Sequence, residues 1–239
     1  MLPLPTTPAA AFLLALTTLA TFGDTVIVPP NSTPDAAYGK TYGQWAAAWW
    51  QWGLSVPAAV NPILDTTGAD AGQGQTGPVW FLGGTFGGGT INRTLTIPAG
   101  KAIFIPVYQW IFGATVGDCR PSNPGVRCQV RVLQASAAAA TTSVNSLQVT
   151  IDGQSVSDLT QYRADSPGGF SVTLPEGNVL ELFGLPDPAG TYAPQVADGY
   201  WLLLAPLAPG THTISVAVTP DPNFGTPFDV TYNITVAAN

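Results

Sequence analysis

Residues Phe228, Val230, Tyr232, Ile234 and Val236 alternate with Asp229, Thr231, Asn233 and Thr235. A period of two sustained over that length gives a strand with one apolar and one polar face. The same alternation places Ile214, Val216 and Val218 against Thr213, Ser215 and Ala217, and Leu147, Val149 and Ile151 against Gln148, Thr150 and Asp152. Asp152-Gly153 then predicts a hairpin turn. Three further segments set a Pro-Gly turn before an apolar run: Ile97 to Lys101 before Ala102–Ile105, Leu174 to Asn178 before Val179–Leu182, and Leu207 to Thr211 before His212–Ile214. Proline fixes one turn dihedral and glycine accepts the next, so each run is expected to re-enter a sheet as a strand. From Pro78 onward strands dominate, with an Ala-rich helix expected near 129–142.

Upstream the period changes. Thr41 and Gln44 make a T-x-x-Q capping box, which predicts a helix over 41–54. At 100° per residue, Trp45, Trp49 and Trp52 fall on one stripe, while Trp50 and Leu54 point to the other side. Ala46, Ala47 and Ala48 lie between them, so almost no face is polar. Such a helix is either wedged between apolar surfaces or an aromatic platform for a sugar or polymer.

No Gly/Ser-rich or charged linker divides residues 24–239. The expected architecture is mainly β: a single β-sandwich, jelly-roll or immunoglobulin-like, decorated by one or two helices. The apolar stretch from Ala9 to Phe22 is too short to span a bilayer, which takes about 20 apolar residues. It fits the core of a signal peptide over 1–23, although no Lys or Arg precedes it. A secreted or extracytoplasmic protein is therefore expected. In that setting Cys119 and Cys128, which bracket a turn-forming loop, are expected to form a disulfide.

Composition narrows the function classes. Of 239 residues, 46% are hydrophobic and only 9% charged, which excludes disorder and coiled coils. Seven Lys+Arg and a net charge of −7 leave no electrostatic footprint for nucleic acid or anionic lipid. One His and two Cys exclude multi-His metal centres.

Several blocks in combination resemble a family of secreted bacterial β-rich proteins of uncharacterised activity. They are Tyr38-Gly39-Lys40 through the Trp-rich helix, Asn61 to Gly68, Gly77-Pro78-Val79-Trp80-Phe81-Leu82, Ile97-Pro98-Ala99-Gly100-Lys101, Ile151-Asp152-Gly153, Tyr162-Arg163 with Ser166-Pro167, and Asp198-Gly199-Tyr200-Trp201 through His212-Thr213-Ile214. The resemblance implies secretion and a β-rich fold, and brings no activity with it. It also implies that a cysteine pair often present in the family stands here as Ala71 and Leu95.

Chemistry must come from few residues. A Ser-His-Asp hydrolase would need His212, yet no G-x-S-x-G elbow exists, and a His after a Pro-Gly turn is expected to bond a neighbouring loop. Gly72-x-Gly74-x-x-Gly77 precedes a strand, whereas the dinucleotide fingerprint follows one. Glu176 and Glu181, five apart on an expected strand, point to opposite faces. Asp65, Asp70, Asp152, Asp187 and Asp198 are most simply turn formers, though pairs across loops stay open. Asp65 and Asp70 in a Gly-rich loop, and Asp221, Asn223 and Asp229 in another, are candidate ligands for a structural calcium. Tyr108 and Trp110 share parity on one extended stretch and are the candidate ligand-binding aromatics, while Trp80 and Trp201 read as core. The leading expectation is a non-catalytic protein binding extracellular carbohydrate or a cell-surface polymer. A self-associating envelope protein and a glycan-active enzyme using Asp/Glu acids are the alternatives.

Overall fold

The computed structural model describes residues 21–22, 25–114, 129–185 and 187–238. In chain order the strands are β1 (Thr21–Phe22), β2 (Thr25–Val26), β3 (Val79–Phe81), β4 (Gly89–Ile97), β5 (Ala102–Gly113) and β6 (Val144–Ile151). There follow β7 (Gln154–Ser155), β8 (Arg163–Asp165), β9 (Phe170–Leu174), β10 (Gly190–Leu204), β11 (Gly210–Pro220) and β12 (Phe228–Val236). The helices are α1 (Tyr42–Ser55) and α2 (Val130–Thr142). Apart from the small β1–β2 pair, the strands form two mixed sheets. One runs β3-β5-β10-β8, with β9 also on β10; the other runs β4-β12-β11-β6-β7. The chain is thus a mainly β sandwich carrying two helices. No helix among the described residues is long and apolar enough to cross a membrane.

The alternating segments fold as their period demands. In β12, Val230, Tyr232, Ile234 and Val236 are buried, and the residues between them face out. Across the second sheet Thr150, Ser215, Thr231 and Asn92 stand in one register row, giving a Thr/Ser/Asn outer surface. Asp152 and Gly153 both take positive φ (49° and 79°) in the turn between β6 and β7, a pairing that Asp-Gly accepts at little strain. One segment departs from expectation. Residues 179–183 form a 3₁₀ helix, not a strand, because the Asn178 side chain accepts from the Leu180 N–H and starts a helical turn. Asp198 also departs from the turn reading: it lies inside β10, opposite Trp110 of β5.

The capping box of α1 is reciprocal, with the Thr41 N–H donating to Gln44 Oε1 at 2.8 Å and the Gln44 N–H donating to Thr41 Oγ1 at 3.3 Å. The helix packs on β8, β9 and β10. Trp45, Trp49 and Trp52 are buried, and their indole N–H groups donate to the carbonyls of Ala37, Leu82 and Gln73. Trp49 meets Trp201 edge-on at 5.6 Å, and Trp201 stacks on Phe104 at 5.2 Å. Of the two readings of this stripe, the wedged core helix is the correct one, and Trp80 and Trp201 are core as expected (8% and 0% exposed).

Arg93 needs a separate account. It lies on β4, an edge of the second sheet, yet is only 2% exposed and points inward beside Tyr232. Its guanidinium donates to four carbonyls: Asp65 (2.7 Å), Ile63 (3.1 Å), Gly84 (2.9 Å) and Gly83. Tyr232 donates to the same Gly83 carbonyl at 2.7 Å. Burial raises the Tyr232 hydroxyl pKa to about 12, although the neighbouring guanidinium pulls the other way. An inward charge on an edge strand also discourages pairing with a stray strand. Ala71 and Leu95 line one small cavity here, with Asp65, Arg93 and Tyr232.

Candidate functional site

Tyr108 and Trp110 project from the distal half of β5. Between Trp201 and Tyr200 of β10 the partner on β5 jumps from Pro106 to Tyr108, leaving Val107 as an extra residue. A bulge of this kind reverses parity, so Tyr108 and Trp110 lie on the opposite face from Phe104 and Pro106. They enter one wall of a cleft of about 430 Å³. Trp50 and Leu54, the side of α1 that the tryptophan stripe leaves free, supply a second wall. The loop Thr85–Gly87, the 3₁₀ segment through Leu180, Phe183 and Leu185, and the turn from Pro220 to Phe228 supply the rest.

The lining is aromatic and uncharged. Tyr108 and Trp110 meet edge-on at 6.1 Å, and Phe224 meets Trp110 edge-on at 6.0 Å. On the other side Phe86 lies 6.4 Å from Trp50 and 5.2 Å from Phe183. Among the described residues the exposed large apolar side chains are Leu182, Phe183 and Phe224 (64%, 49% and 38%). Phe183 and Phe224 line the cleft; Leu182 precedes Phe183 in the chain and does not. Apolar side chains left in water cost stability, and their concentration at one opening marks a binding surface more than a packing fault.

The polar groups of this wall are unusual in another way. Trp50 Nε1, Tyr108 Oη and Trp110 Nε1 are all buried and none meets an acceptor at good hydrogen-bond geometry, although the Trp110 indole lies close enough to Tyr108 Oη to act on it. Burial raises the Tyr108 pKa; the Trp110 indole N–H works against that rise and the charge of Asp221 adds to it. Tyr108 is 5% exposed, so it forms a closed wall and not the open edge platform that its sequence position suggested. Phe183, Phe224 and Trp50 were not picked out as ligand-binding by their sequence context. The signal for Trp50 was present, in its place on the back of the helix.

The other candidates are occupied by structural bonds. Asp65 accepts from the backbone N–H groups of Thr67 (2.7 Å) and Asp70 (2.9 Å) and from the Thr67 hydroxyl (2.7 Å). Burial raises its pKa, but these donors outweigh it and hold the carboxyl below its ordinary value. Asp70 contributes its N–H to that turn. Asp221 likewise closes a turn on Asn223. Among the described residues no three His, Cys, Asp or Glu side chains gather as a metal site. Cys119 and Cys128 lie outside the described residues. Both oxygens of Asp198 accept from Arg163 at 2.9 Å, across β8 and β10, in a shallow depression that Asp165 also lines.

His212 is bonded at both ring nitrogens. Nδ1 faces Asp152 Oδ2 at 2.8 Å and Nε2 faces the Ala208 carbonyl at 2.9 Å. Both partners accept only, so both contacts are satisfied together by the imidazolium. Burial lowers the His212 pKa, but the bond to Asp152, the Ala208 carbonyl and the Asp152 charge outweigh it and raise the net value. A raised folded pKa means stability present at low pH, lost as pH climbs from the ordinary 6.5 through the folded value. The difference in urea midpoint between wild type and His212→Gln should therefore be larger at pH 5.5 than at pH 9. For a part-exposed pair it should stay below about 1 kcal/mol, and an equal difference at both pH values would contradict the imidazolium assignment.

No protein-family model and no curated protein matches the chain. One solved structure aligned with it is a cysteine protease inhibitor from Entamoeba histolytica, at 16% identity, covering 63% of this chain and 87% of that one with a TM-score of 0.20. A likeness that low carries no argument about fold or activity.

Proposed function

We propose that the protein is a non-catalytic binding protein acting outside the cytoplasm, and that the aromatic cleft takes its ligand. The observation that carries this reading is the convergence of the exposed apolar side chains Phe183 and Phe224 on one uncharged, aromatic-lined opening. The N-terminal apolar stretch supports the location. Against catalysis stand the structural commitments of His212, Asp65 and Asp198, each bonded to its own fold.

Carbohydrate is the second reading, and one observation favours it: Tyr108 and Trp110 do sit together in the wall. Stacking alone is not enough for a sugar, because its hydroxyls need polar partners. The side-chain groups available are Thr85, Gln109, Thr226 and the three unpartnered donors.

The test is a binding screen on purified full-length protein, read by tryptophan fluorescence, with oligosaccharides, insoluble polysaccharides and the apolar dye N-phenyl-1-naphthylamine. At least one of these should bind with micromolar affinity. Thr85→Trp, which fills the cleft, should weaken it at least tenfold. Binding of nothing, or binding indifferent to Thr85→Trp, would refute the assignment.

A further inference from the structure

Resting on that assignment of the cleft, we propose that its ligand is a neutral, flat, largely apolar small molecule carrying one hydrogen-bond acceptor, such as a ketone or ether oxygen. Neutrality follows from the lining, which holds no Asp, Glu, Lys, Arg or His among the described residues. A charged group entering it would lose hydration and meet no ionised side chain in the lining, the Asp221 charge lying outside it. Flatness follows from the walls. Trp50 and Phe86 on one side and Tyr108 and Trp110 on the other present ring faces and edges, against which a planar body keeps more contact than a branched one. The volume of about 430 Å³ lies at the small end of small-molecule pockets.

The acceptor follows from the unpartnered groups. Trp50 Nε1, Tyr108 Oη and Trp110 Nε1 can all donate, and none meets an acceptor at good geometry; Trp110 Nε1 and Tyr108 Oη reach only one another. Buried donors left unmade penalise the folded state, and that penalty is relieved when an acceptor arrives. Each of these atoms is covered by neighbouring side chains, so binding requires a small ring adjustment of the kind common at ligand sites. Elsewhere on α1 the contrast is plain: the indoles of Trp45, Trp49 and Trp52 all have carbonyl partners. Trp80 and Trp201 also carry unpartnered indole N–H groups, but inside the core; those of Trp50 and Trp110, with the Tyr108 hydroxyl, belong to residues that line the cleft.

The experiment is displacement of N-phenyl-1-naphthylamine from the full chain by 1-acetylnaphthalene and by 1-ethylnaphthalene, which share size and shape. A purely apolar site prefers the ethyl compound, because it is the more hydrophobic. The acetyl compound should instead bind about fivefold more tightly, the effect of one net hydrogen bond. Trp50→Phe/Tyr108→Phe/Trp110→Phe keeps an aromatic ring at each position, smaller than indole at two of them, and removes the donors, so it should retain the dye and lose the preference. Tyr108→Phe alone, which removes one donor and only its contact with the Trp110 indole, serves if the triple variant fails to fold. Equal or inverted preference in wild type, or a preference that survives the triple variant, would overturn the acceptor argument. Tighter competition by phenyltrimethylammonium or by an oligosaccharide would overturn the ligand class. In each of those cases sensitivity to Thr85→Trp keeps the cleft as the site. A dye whose binding ignores Thr85→Trp removes the site and the ligand class together.

Discussion

Arg93→Met should lower the unfolding free energy by about 3–5 kcal/mol, a large part of what a domain of this size has to lose. The methionine fills most of the volume but donates nothing, so the carbonyls of Ile63, Asp65, Gly83 and Gly84 lose a shared partner inside the protein. Each buried acceptor left unmade costs about 1–3 kcal/mol, and Tyr232 relieves only Gly83. The adjoining cavity, about 10 Å³, barely admits one water. Arg93→Lys should recover part of the loss, since an ammonium donates but cannot span four carbonyls in a plane. The measurement is a urea titration at constant m-value. A loss for Arg93→Met below about 1 kcal/mol would mean that solvent serves those carbonyls equally well. Gly83 and Gly84 lead into the Thr85–Gly87 wall, so weaker ligand binding should accompany the loss.

Gly43→Ala should destabilise by about 3 kcal/mol, against the usual gain from replacing glycine inside a helix. An added Cβ at position 43 would lie 2.0 Å from the Asp165 carbonyl oxygen and 3.1 Å from its carbon. Both are backbone atoms of β8, so either the strand or the start of α1 must move. Gly53→Ala on the same helix is the internal control. Its Cβ meets only the Cδ1 of Ile63, at 2.6 Å, the end of a side chain that can rotate aside. The helix-propensity gain is the same in both, so the difference in thermal midpoint isolates the clash. If the two variants melt together, the close approach of helix and strand is not constraining the fold. A lifted α1 also displaces Trp50 and Leu54, and Gly43→Ala should therefore weaken dye binding where Gly53→Ala does so less.

The sandwich was legible because its evidence is local. Alternation in Leu147–Ile151, Ile214–Val218 and Phe228–Val236 reports a half-buried strand whatever its partners are, and Thr41 with Gln44 announces a helix start within four residues. Residues 179–183 misled because a short apolar run after a Pro-Gly turn fits a strand and a 3₁₀ turn equally, and the Asn178 side chain decided between them. The cleft was half legible. Tyr108 and Trp110 could be chosen from parity, but the bulge at Val107 sets the face they take, and that depends on β10, some ninety residues away. Phe183 ends the 3₁₀ helix and Phe224 lies in the turn between β11 and β12, and only the packed sheets determine where these meet. Arg93 carried no sequence signal, because an inward charge breaks the alternation that identifies its strand.

The strand spanning Phe228–Val236 lies between β4 and β11, pairing parallel with one and antiparallel with the other. Before this stretch is made, β6, β7 and β11 can pair with one another, but Gly89–Ile97 must wait for its partner through more than a hundred further residues. Long-range closure of this kind is slow and holds back final assembly until β12 has been made.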